Sequence, residues 1–395
     1  MLKNKIRELT QQYLPEFKAI RHHIHAHPEL SFEEYNTAEY VSDRLSEFGI
    51  THTKGVAGTG VVGVIHGKNP QSRVIALRAE LDALPIREEN DTEYKSQNEG
   101  VMHACGHDVH TTCLLGAAKL LTLLKDEWEG TIKLIFQPGE EKDPGGASLM
   151  ITAGVLEDPK PEAILALHVY PHLPSGTIGY RSGLYMASSD EIKIIVKGKG
   201  GHAALPHQTI DPITIAAQLI TSLQNIISRN KNPLSYSVLS ICKIAGGYTT
   251  NVIPDEVEIL GTLRCMDETW RFKAHELIKK QTELLCESMG GSAEVHIPVG
   301  YPCLYNNPGL TEKVVDLAQE FIGTDKVKEL DLRMAAEDFS FYTHHVPGCF
   351  YRIGTNLNNE QFTYPVHNSR FDIHEDAIGT GVSMMTWLAT QVNMK

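Results

Sequence analysis

The sequence alternates short apolar segments, typical of β-strands, with longer segments that have the apolar spacing of α-helices, and this alternation is the strongest constraint on the fold. Strands separated by helices predict an α/β protein with a doubly wound or mixed sheet. Ligands of such sheets bind outside the carboxyl ends of the strands, so chemically active residues are expected there. The predicted strands of the first part are residues 61–67, 73–81, 131–136 and 163–169, and the predicted helices are residues 37–48, 111–124 and 146–154.

The pattern changes near residue 186, where a block with the order β-α-β-β-α-β begins. That order is the split βαβ, or ferredoxin-like, unit, and it predicts an inserted domain. We therefore expect one discontinuous α/β domain of residues 1–186 and 300–395, interrupted by a second domain of residues 187–299. The predicted elements of the inserted block are residues 191–198, 212–228, 235–244, 257–264, 270–288 and 292–298, followed in the resumed domain by residues 311–322, 349–353 and 375–394.

The charge and cysteine content of the 395-residue chain exclude several function classes. A formal charge of −13 lacks the basic surface of a nucleic-acid-binding protein. No apolar run approaches the roughly 18–20 residues of a membrane span, and the N-terminus has no signal-peptide core. Seven scattered cysteines do not read as a disulfide framework. We expect a cytoplasmic protein of two or three domains, with neither nucleic acid nor membrane as a partner.

Five residues are of the types that bind metal ions, and several of them lie where an α/β sheet presents its site. They are Cys105, His107, Glu141, His168 and His367. Each has an ordinary explanation when taken alone, such as a buried thiol, a helix-start residue, a solvated acidic turn or a core histidine. One metal site explains all five together, so their placement favours a metal centre.

A cluster of histidines near the N-terminus is a weaker candidate for metal binding. His23, His25 and His27 are predicted to lie at the end of a helix before Pro28, and no acidic or thiol ligand lies among them. We interpret these residues as packing and surface residues. The cysteines other than Cys105 lie in apolar segments or strands and are predicted to be chemically inert.

Several short motifs occur in a fixed order along the chain. They are R-H-H-I-H-A-H-P-E-L-S-F-E-E, H-A-C-G-H-D, P-G-E-E followed by G-G-A, L-H-V, G-G-H-A-A-L-P-H, N-V-I-P, A-E-D-F-S and H-N. As a set they resemble the M20 metallopeptidase family, and within it the amidohydrolase branch of N-acyl-amino-acid, hippurate and auxin-conjugate hydrolases. The resemblance covers essentially the whole chain. It implies a central mixed sheet flanked by helices, as in zinc aminopeptidases, with an inserted ferredoxin-like α+β domain that serves as lid and in dimerisation.

The resemblance also implies a site for two divalent metal ions per subunit. Cys105 would bridge the two metal positions. Glu141 and His367 would complete one position, and the other would be completed by His107 and His168. The thiolate favours Zn²⁺, whereas the mixed nitrogen, oxygen and sulfur ligands also admit Mn²⁺, Co²⁺ or Ni²⁺.

Further residue roles are implied by the same resemblance. Glu140 would be the general base that takes a proton from the attacking water, and Asp82 would orient the site. His202 of the inserted domain would reach the active site of a neighbouring subunit, which would make the working unit a homodimer. Asn251 and Arg264 would meet the carboxylate of the substrate or the developing oxyanion.

The implied reaction is metal-dependent hydrolysis of the amide bond of an N-acyl amino acid by a metal-bridged water, releasing a carboxylic acid and a free amino acid. One alternative is a dipeptidase or carboxypeptidase of the same family, which only the substrate distinguishes. The other alternative is a non-catalytic metal-binding dimer. The presence of Glu140 argues against that alternative, because a binding protein needs no free base beside its ligands.

The chain departs from the usual family pattern at three places. The family usually has R-A-D-M-D before A-L-P, where this chain has Glu80 in R-A-E-L-D. The stretch after H-N usually continues with D-E-D, where this chain has His374, Glu375 and Asp376. Five additional residues, 142–146, follow P-G-E-E and could reshape the rim of a pocket. The extra methylene of Glu80 could shift a contact near the site, so the resemblance assigns it no role.

Overall fold

A mixed β-sheet flanked by helices forms the centre of the larger of two units in the computed structural model, which describes residues 1–356 and 364–394. The larger unit comprises Met1–Tyr185, Tyr305–Leu332 and Asp338–Lys395, and the smaller unit comprises Met186–Leu304 and Arg333–Glu337. The short second segment of the smaller unit is not set apart by any pattern in the sequence. The assignment of one unit to catalysis and the other to a lid stays a prediction.

Helices are interspersed among the strands along the described chain. The helices are α1 (Leu2–Ala26), α2 (Tyr35–Glu47), α3 (His107–Leu123), α4 (Gly146–Thr152), α5 (Pro212–Asn225), α6 (Glu268–Ser288), α7 (Pro308–Ile322), α8 (Phe339–Thr343) and α9 (Asp376–Gln391). The strands are β1 (Thr51–Val56), β2 (Gly60–His66), β3 (Val74–Glu80), β4 (Thr131–Gln137), β5 (Ala163–Pro174), β6 (Ile178–Tyr180), β7 (Gly183–Met186), β8 (Asp190–Lys197), β9 (Gly201–His202), β10 (Ser237–Ala245), β11 (Val252–Ile253), β12 (Glu256–Cys265), β13 (Ser292–His296), β14 (Leu304–Asn306), β15 (Val327–Glu329) and β16 (Gly348–Asn356). No helix in the described part of the chain is long and apolar enough to cross a membrane.

The large sheet has parallel strands in its centre. Its described strands lie in the order β1-β2-β4-β3-β5-β16-β6-β15. Strands β4, β3, β5 and β16 run parallel, whereas β2 pairs antiparallel with β4 and β6 pairs antiparallel with β16. Because the parallel strands point the same way, their carboxyl ends meet at one edge of the sheet. The mixed sheet confirms the predicted fold class.

Helices cover the central strands, which explains why the sequences of these strands are almost continuously apolar. In β3, every residue after Val74 is buried. Helix α3 packs against α1, α9 and β3, and its Leu114 lies in the same core as Leu77 and Leu165 of the sheet. Full burial of one such side chain contributes about 1.5–3 kcal/mol relative to exposure. This core fixes the positions of the strand ends.

The smaller unit has an antiparallel sheet whose described strands lie in the order β10-β12-β8-β13. Helices α5 and α6 pack against each other and against strands of this sheet. Strand β8 alternates between the core and the other face, with Ile192, Ile194 and Val196 buried. This is the strand order of the ferredoxin-like unit that the sequence predicts. Strands β9 and β11 form a separate two-stranded sheet.

Candidate metal centre

Acidic and imidazole side chains lie at the end of β3, in the loop after β4 and midway along β5. Strand β3 ends at Glu80 and is followed by Asp82, and β5 carries His168. The loop after β4 carries Glu140 and Glu141. Because these strands are parallel neighbours, the five residues lie at one edge of the sheet, where α/β proteins bind their ligands.

The start of α3 brings two further candidate ligands to this edge. The helix begins at His107, and Gly106 before it has a left-handed φ of 84°. A Cβ on Gly106 would lie 2.5 Å from the Cγ2 of Val169 in β5, so only glycine lets the loop approach the strand this closely. Cys105 consequently lies beside His168, with 3.5 Å between its Sγ and the Nε2 of the imidazole.

Five groups of three described side chains have ligand atoms that lie within 4.8 Å of one another, close enough to share a metal ion, and two of these groups contain Cys105. The first group is Cys105, His107 and His168. The second group is Cys105, Glu141 and His367. Cys105 belongs to both groups, so a single thiolate could contact two ions.

The imidazoles of the first group are buried and held in a ligand-ready orientation. The Nδ1–H of His107 donates to the backbone oxygen of Asp82 at 2.8 Å and lies 3.1 Å from its Oδ1. The Nδ1–H of His168 donates to the carbonyl oxygen of Val169 at 2.8 Å. Among the described residues, the buried Nε2 of His107 has no hydrogen-bond partner. An unpaired imidazole nitrogen beside a thiol is what a metal position requires, so these residues fit the ion that the fold implies.

The second group is more open to solvent. The side chain of His367 is 52% exposed, and its Nε2 lies 3.1 Å from the Oε1 of Glu141. The backbone N–H of His367 donates to the carbonyl oxygen of Ala104 at 2.7 Å, which ties this loop to the segment before α3. His367 also has a left-handed φ of 66°, an uncommon conformation for a non-glycine residue.

Asp82 connects the two ligand groups. Its backbone oxygen and Oδ1 face His107, and its Oδ2 accepts hydrogen bonds from the hydroxyl of Ser31 at 2.7 Å and from the backbone N–H of Glu141 at 2.9 Å. Burial raises the pKa of Asp82, but the hydrogen bond and charge of His107 outweigh burial and hold the pKa below its ordinary value. An ionised Asp82 therefore contacts one residue of each ligand group.

Glu140 lies beside the ligand groups but belongs to neither group that contains Cys105. Its side chain is buried, and its Oε2 lies 3.9 Å from the Nε2 of His107. The turn before it is held by Glu34, whose Oε1 accepts from the N–H of Gly139 at 2.8 Å. A carboxylate in this position can exchange protons with a molecule bound at the ligand groups.

Carboxylate charge dominates the electrostatics of the site. Burial and the charges of Glu141 and Glu140 raise the pKa of the Cys105 thiol well above its ordinary value. Burial alone lowers the pKa of His107, but its hydrogen bond to Asp82 and the surrounding carboxylates raise the pKa to about 10. Besides burial, nearby carboxylates contribute to both shifts, and their negative charge attracts a divalent cation.

The remaining predicted site residues lie in the smaller unit. His202 on β9 and Asn251 before β11 are exposed and adjacent, because Val252 pairs with His202 and the N–H of Ala203 donates to the carbonyl oxygen of Asn251 at 3.0 Å. Arg264 is on β12, in the other sheet of this unit. His202 and Asn251 thus lie together at the two-stranded sheet, whereas Arg264 lies in the four-stranded sheet.

Sequence reasoning missed a buried polar network behind the site. Arg78 forms ion pairs with Glu80 and Asp338, and its Nε donates to Gln137 at 2.9 Å. Arg78 and Glu80, two charged residues in the interior of the predicted strand 73–81, were the available signal, because charges are buried only when they are paired.

The N-terminal histidines are not among the ligand groups of the described residues. His25 is buried and contacts Asp108 through Nδ1 at 2.8 Å and Glu88 through Nε2 at 3.2 Å. His23 instead stacks on Tyr40, with 4.1 Å between the ring centroids. These contacts agree with the interpretation of the cluster as packing and surface residues.

A thiol, imidazoles and carboxylates at the strand ends of a mixed α/β sheet define the class of metal-dependent hydrolases. The chain belongs to peptidase family M20/M25/M40, whose model matches residues 76–391, and this confirms the resemblance seen in the motifs. It is a metal-dependent hydrolase of amide bonds.

Relatives of the chain act on more than one kind of amide. It is 44% identical over 306 residues to an N-acyl-L-amino acid amidohydrolase of Geobacillus stearothermophilus, covering 78% of this chain and 82% of that protein. It is 40% identical over 397 residues to thermostable carboxypeptidase 1 of Saccharolobus solfataricus, covering 100% and 98%. The crystal structure of the Bacillus subtilis YXEP protein, a dinuclear metal-binding peptidase of the M20 family, is similar with a TM-score of 0.81 at 33% identity, covering 96% of this chain and 98% of that one.

Proposed function

We propose that this protein hydrolyses the amide bond of small N-acyl amino acids and releases a carboxylic acid and a free amino acid. The observation that carries the proposal is the buried carboxylate of Glu140 beside two ligand groups that share Cys105. The similarity to an N-acyl-L-amino acid amidohydrolase over most of the chain supports this substrate class.

The two ligand groups would hold two divalent ions, Zn²⁺, Mn²⁺, Co²⁺ or Ni²⁺. One position would use Cys105, His107 and His168, and the other would use Cys105, Glu141 and His367. When bound, such ions supply Lewis acidity that activates water and polarises the amide carbonyl. The similarity to a structure described as dinuclear supports this stoichiometry.

Glu140 would move the proton of the reaction. Its carboxylate would accept a proton from the attacking water at Oε2 and deliver it to the nitrogen of the leaving amine. Asp82 would keep His107 and Glu141 in place through the hydrogen bonds described above. The burial of Glu140 supports this role, because a carboxylate shielded from bulk water exchanges its proton with the bound reactants.

The smaller unit would act as lid and dimerisation domain. His202 would stabilise the developing oxyanion in the site of a partner subunit, and Asn251 and Arg264 would contact the substrate. The edge strand β10 and its flanks support association with a second copy, because large apolar side chains are exposed there. These side chains are Leu234, Tyr236, Val238, Ile244 and Tyr248.

We also propose a cytoplasmic location. All seven cysteines lie in the described residues, and no disulfide joins any of them. Free thiols at every cysteine are typical of a reducing compartment. Detection of the protein in fractionated cells would test this assignment.

A carboxypeptidase is the second candidate, because the similarity to thermostable carboxypeptidase 1 is as extensive. One experiment separates the two candidates. Chelator-stripped protein, before and after addition of Mn²⁺, Zn²⁺, Co²⁺ or Ni²⁺, is assayed for amine release from N-acetyl, N-benzoyl and indole-acyl amino acids and from dipeptides. Metal-dependent release from the acyl amino acids is expected. Release from peptides alone would support the carboxypeptidase, and no release by metal-loaded protein would contradict both.

A further inference from the structure

A chain of three hydrogen bonds joins the carboxylate of Glu80 to the imidazole of His168. The Nδ1–H of His110 donates to the Oε2 of Glu80 at 2.8 Å. The backbone N–H of Val169 donates to the Nε2 of His110 at 2.9 Å. The carbonyl oxygen of Val169 then accepts from the Nδ1–H of His168 at 2.8 Å. These hydrogen bonds link the end of β3 with the middle of β5 through α3.

These contacts define the protonation state of His110. A backbone N–H can only donate, so the Nε2 of His110 accepts and its proton is on Nδ1. Glu80, His107 and His110 have ligand atoms close enough to share an ion, but both nitrogens of His110 already have protein partners. The Nδ1 of His107 is likewise paired with Asp82. This third cluster is therefore a support for the metal centre and not a metal position of its own.

The length of the Glu80 side chain is matched to these contacts. One carboxylate oxygen pairs with Arg78 while the other accepts from His110, and all three side chains are fully buried. An aspartate, which the family usually has here, would withdraw the carboxylate by about 1.5 Å, the length of one carbon–carbon bond. A hydrogen bond of 2.8 Å does not survive such a withdrawal unless the strand end moves.

We propose that Glu80 and His110 are positioning residues for the metal ligand His168. They hold the backbone N–H of Val169, and the carbonyl oxygen of the same residue orients the imidazole of His168, whose Nε2 faces Cys105. The inference rests on the proposed two-metal function. Loss of a contact that orients a ligand typically lowers metal affinity about 10–100-fold.

The test measures Co²⁺ binding to the full chain by competition with a chromophoric chelator, with Co²⁺–thiolate absorption as the spectroscopic signature. The variant Glu80→Asp should weaken one of two Co²⁺ positions by at least about 10-fold and alter the absorption bands. The matched control is Thr111→Val, because the Thr111 hydroxyl donates to the backbone oxygen of Glu80 and not to its carboxylate. Wild-type affinity in Glu80→Asp, or an equal loss in Thr111→Val, would overturn the inference.

A second pair of variants divides the hydrogen-bond chain at its middle. The amide oxygen of His110→Gln can take the place of Nε2 and still accept from Val169, whereas the shorter amide of His110→Asn can meet only Glu80. We expect His110→Gln to bind Co²⁺ more tightly than His110→Asn, with both variants folded by circular dichroism. Equal affinities would contradict the proposed route through Val169.

These outcomes are distinguishable from failure of the proposed reaction. Wild-type protein that binds two Co²⁺ ions but releases no amine from any substrate would refute the proposed reaction. The Co²⁺ affinities of the variants would still decide whether Glu80 and His110 position His168. Wild-type protein that binds no Co²⁺ would refute both.

Discussion

The two units of the protein hold their candidate functional residues in different ways. In the larger unit, His107 and His168 are buried, and each ring is fixed by a hydrogen bond from its Nδ1. In the smaller unit, His202 and Asn251 are exposed, and within the described residues their side chains accept hydrogen bonds from neighbours in sequence: the N–H of Ala204 donates to His202, and the hydroxyl of Thr249 donates to Asn251. Fixed ligands are already in a binding geometry, whereas exposed side chains become ordered by what they bind.

This difference suggests a division of labour. The larger unit has the proposed metal ligands and the proposed base, so changes there should abolish the reaction. The smaller unit has residues that would act on the substrate, so changes there should slow turnover without removing metal. The predictions below test this division, beginning with the largest expected effect.

Glu140→Gln should lower kcat by about 10²–10⁴-fold while both metal ions stay bound, because the amide cannot accept the proton. Glu141→Gln is the matched control at the adjacent position, since Glu141 is a proposed ligand and its loss should remove metal as well as activity. Steady-state kinetics and metal analysis by mass spectrometry check both variants. An active Glu140→Gln variant would exclude Glu140 as the base.

His202→Ala should lower kcat by about 10²-fold with unchanged metal content, the usual cost of removing one oxyanion donor. His207→Ala, at another exposed histidine of the same unit, should have no effect. The His202→Ala and Glu140→Gln variants can be unfolded, mixed and refolded together. Activity of the mixture should exceed that of either variant, because a mixed dimer has one site with both residues intact. No recovery in a mixture that forms dimers would contradict the action of His202 across subunits.

Removal of metal should destabilise the larger unit alone. A ligand that binds only the folded state at 100 times its Kd stabilises that state by about 2.7 kcal/mol. Trp128 and Trp387 report on the larger unit and Trp270 on the smaller one, so urea unfolding of Trp270→Phe follows the larger unit. We expect a chelator to lower the urea midpoint of the Trp270→Phe variant. In the double variant Trp128→Phe, Trp387→Phe, the urea midpoint that Trp270 reports should stay unchanged. Equal shifts in both chains would contradict two separately stabilised units.

The elements that the sequence predicts are those with a strong internal pattern. The helix predicted at 37–48 is α2 at Tyr35–Glu47, and the strand predicted at 131–136 is β4 at Thr131–Gln137. Strands β6 and β15 escape prediction because three residues contain no period, and only pairing within the sheet makes them strands. Helix α3 starts four residues before the predicted position 111, since its polar first turn looks like a loop in sequence but packs against the site.

The sequence likewise predicts one part of the candidate site, the residue types, but not the other part, their grouping. Ligand types at strand ends are visible in sequence because parallel strands end together. Their grouping is not visible, because it depends on tertiary contacts such as the 2.7 Å hydrogen bond from His367 to Ala104. The pairing of Arg78 with Asp338 joins positions 260 residues apart, and no local pattern predicts such a contact.

The smallest predicted effect comes from a buried imidazole in the larger unit. Burial alone lowers the pKa of His25, but the charge and hydrogen bond of Asp108 and the hydrogen bond to Glu88 raise it to about 9. The charged and titratable groups around it are Asp108, Glu88, Arg21, His103 and Tyr94. In the smaller unit, burial raises the pKa of Asp190, but hydrogen bonds from Arg271 and His275 lower it to about 2.

These opposite shifts predict opposite pH responses. The folded-state pKa of His25 is above its ordinary value of 6.5, so its stabilising contribution is complete below pH 6.5 and is lost as the pH rises through about 9. The free energy of unfolding of the larger unit should fall by about 2–3 kcal/mol over this range. The contribution of Asp190 is lost only as the pH falls through about 2, so the Trp270 signal should not respond between pH 6.5 and 9. The control His25→Gln should be less stable and nearly flat over the same range. A wild-type slope in that variant would assign the pH response to another group, and a matching slope in the smaller unit would show that the two units do not titrate independently.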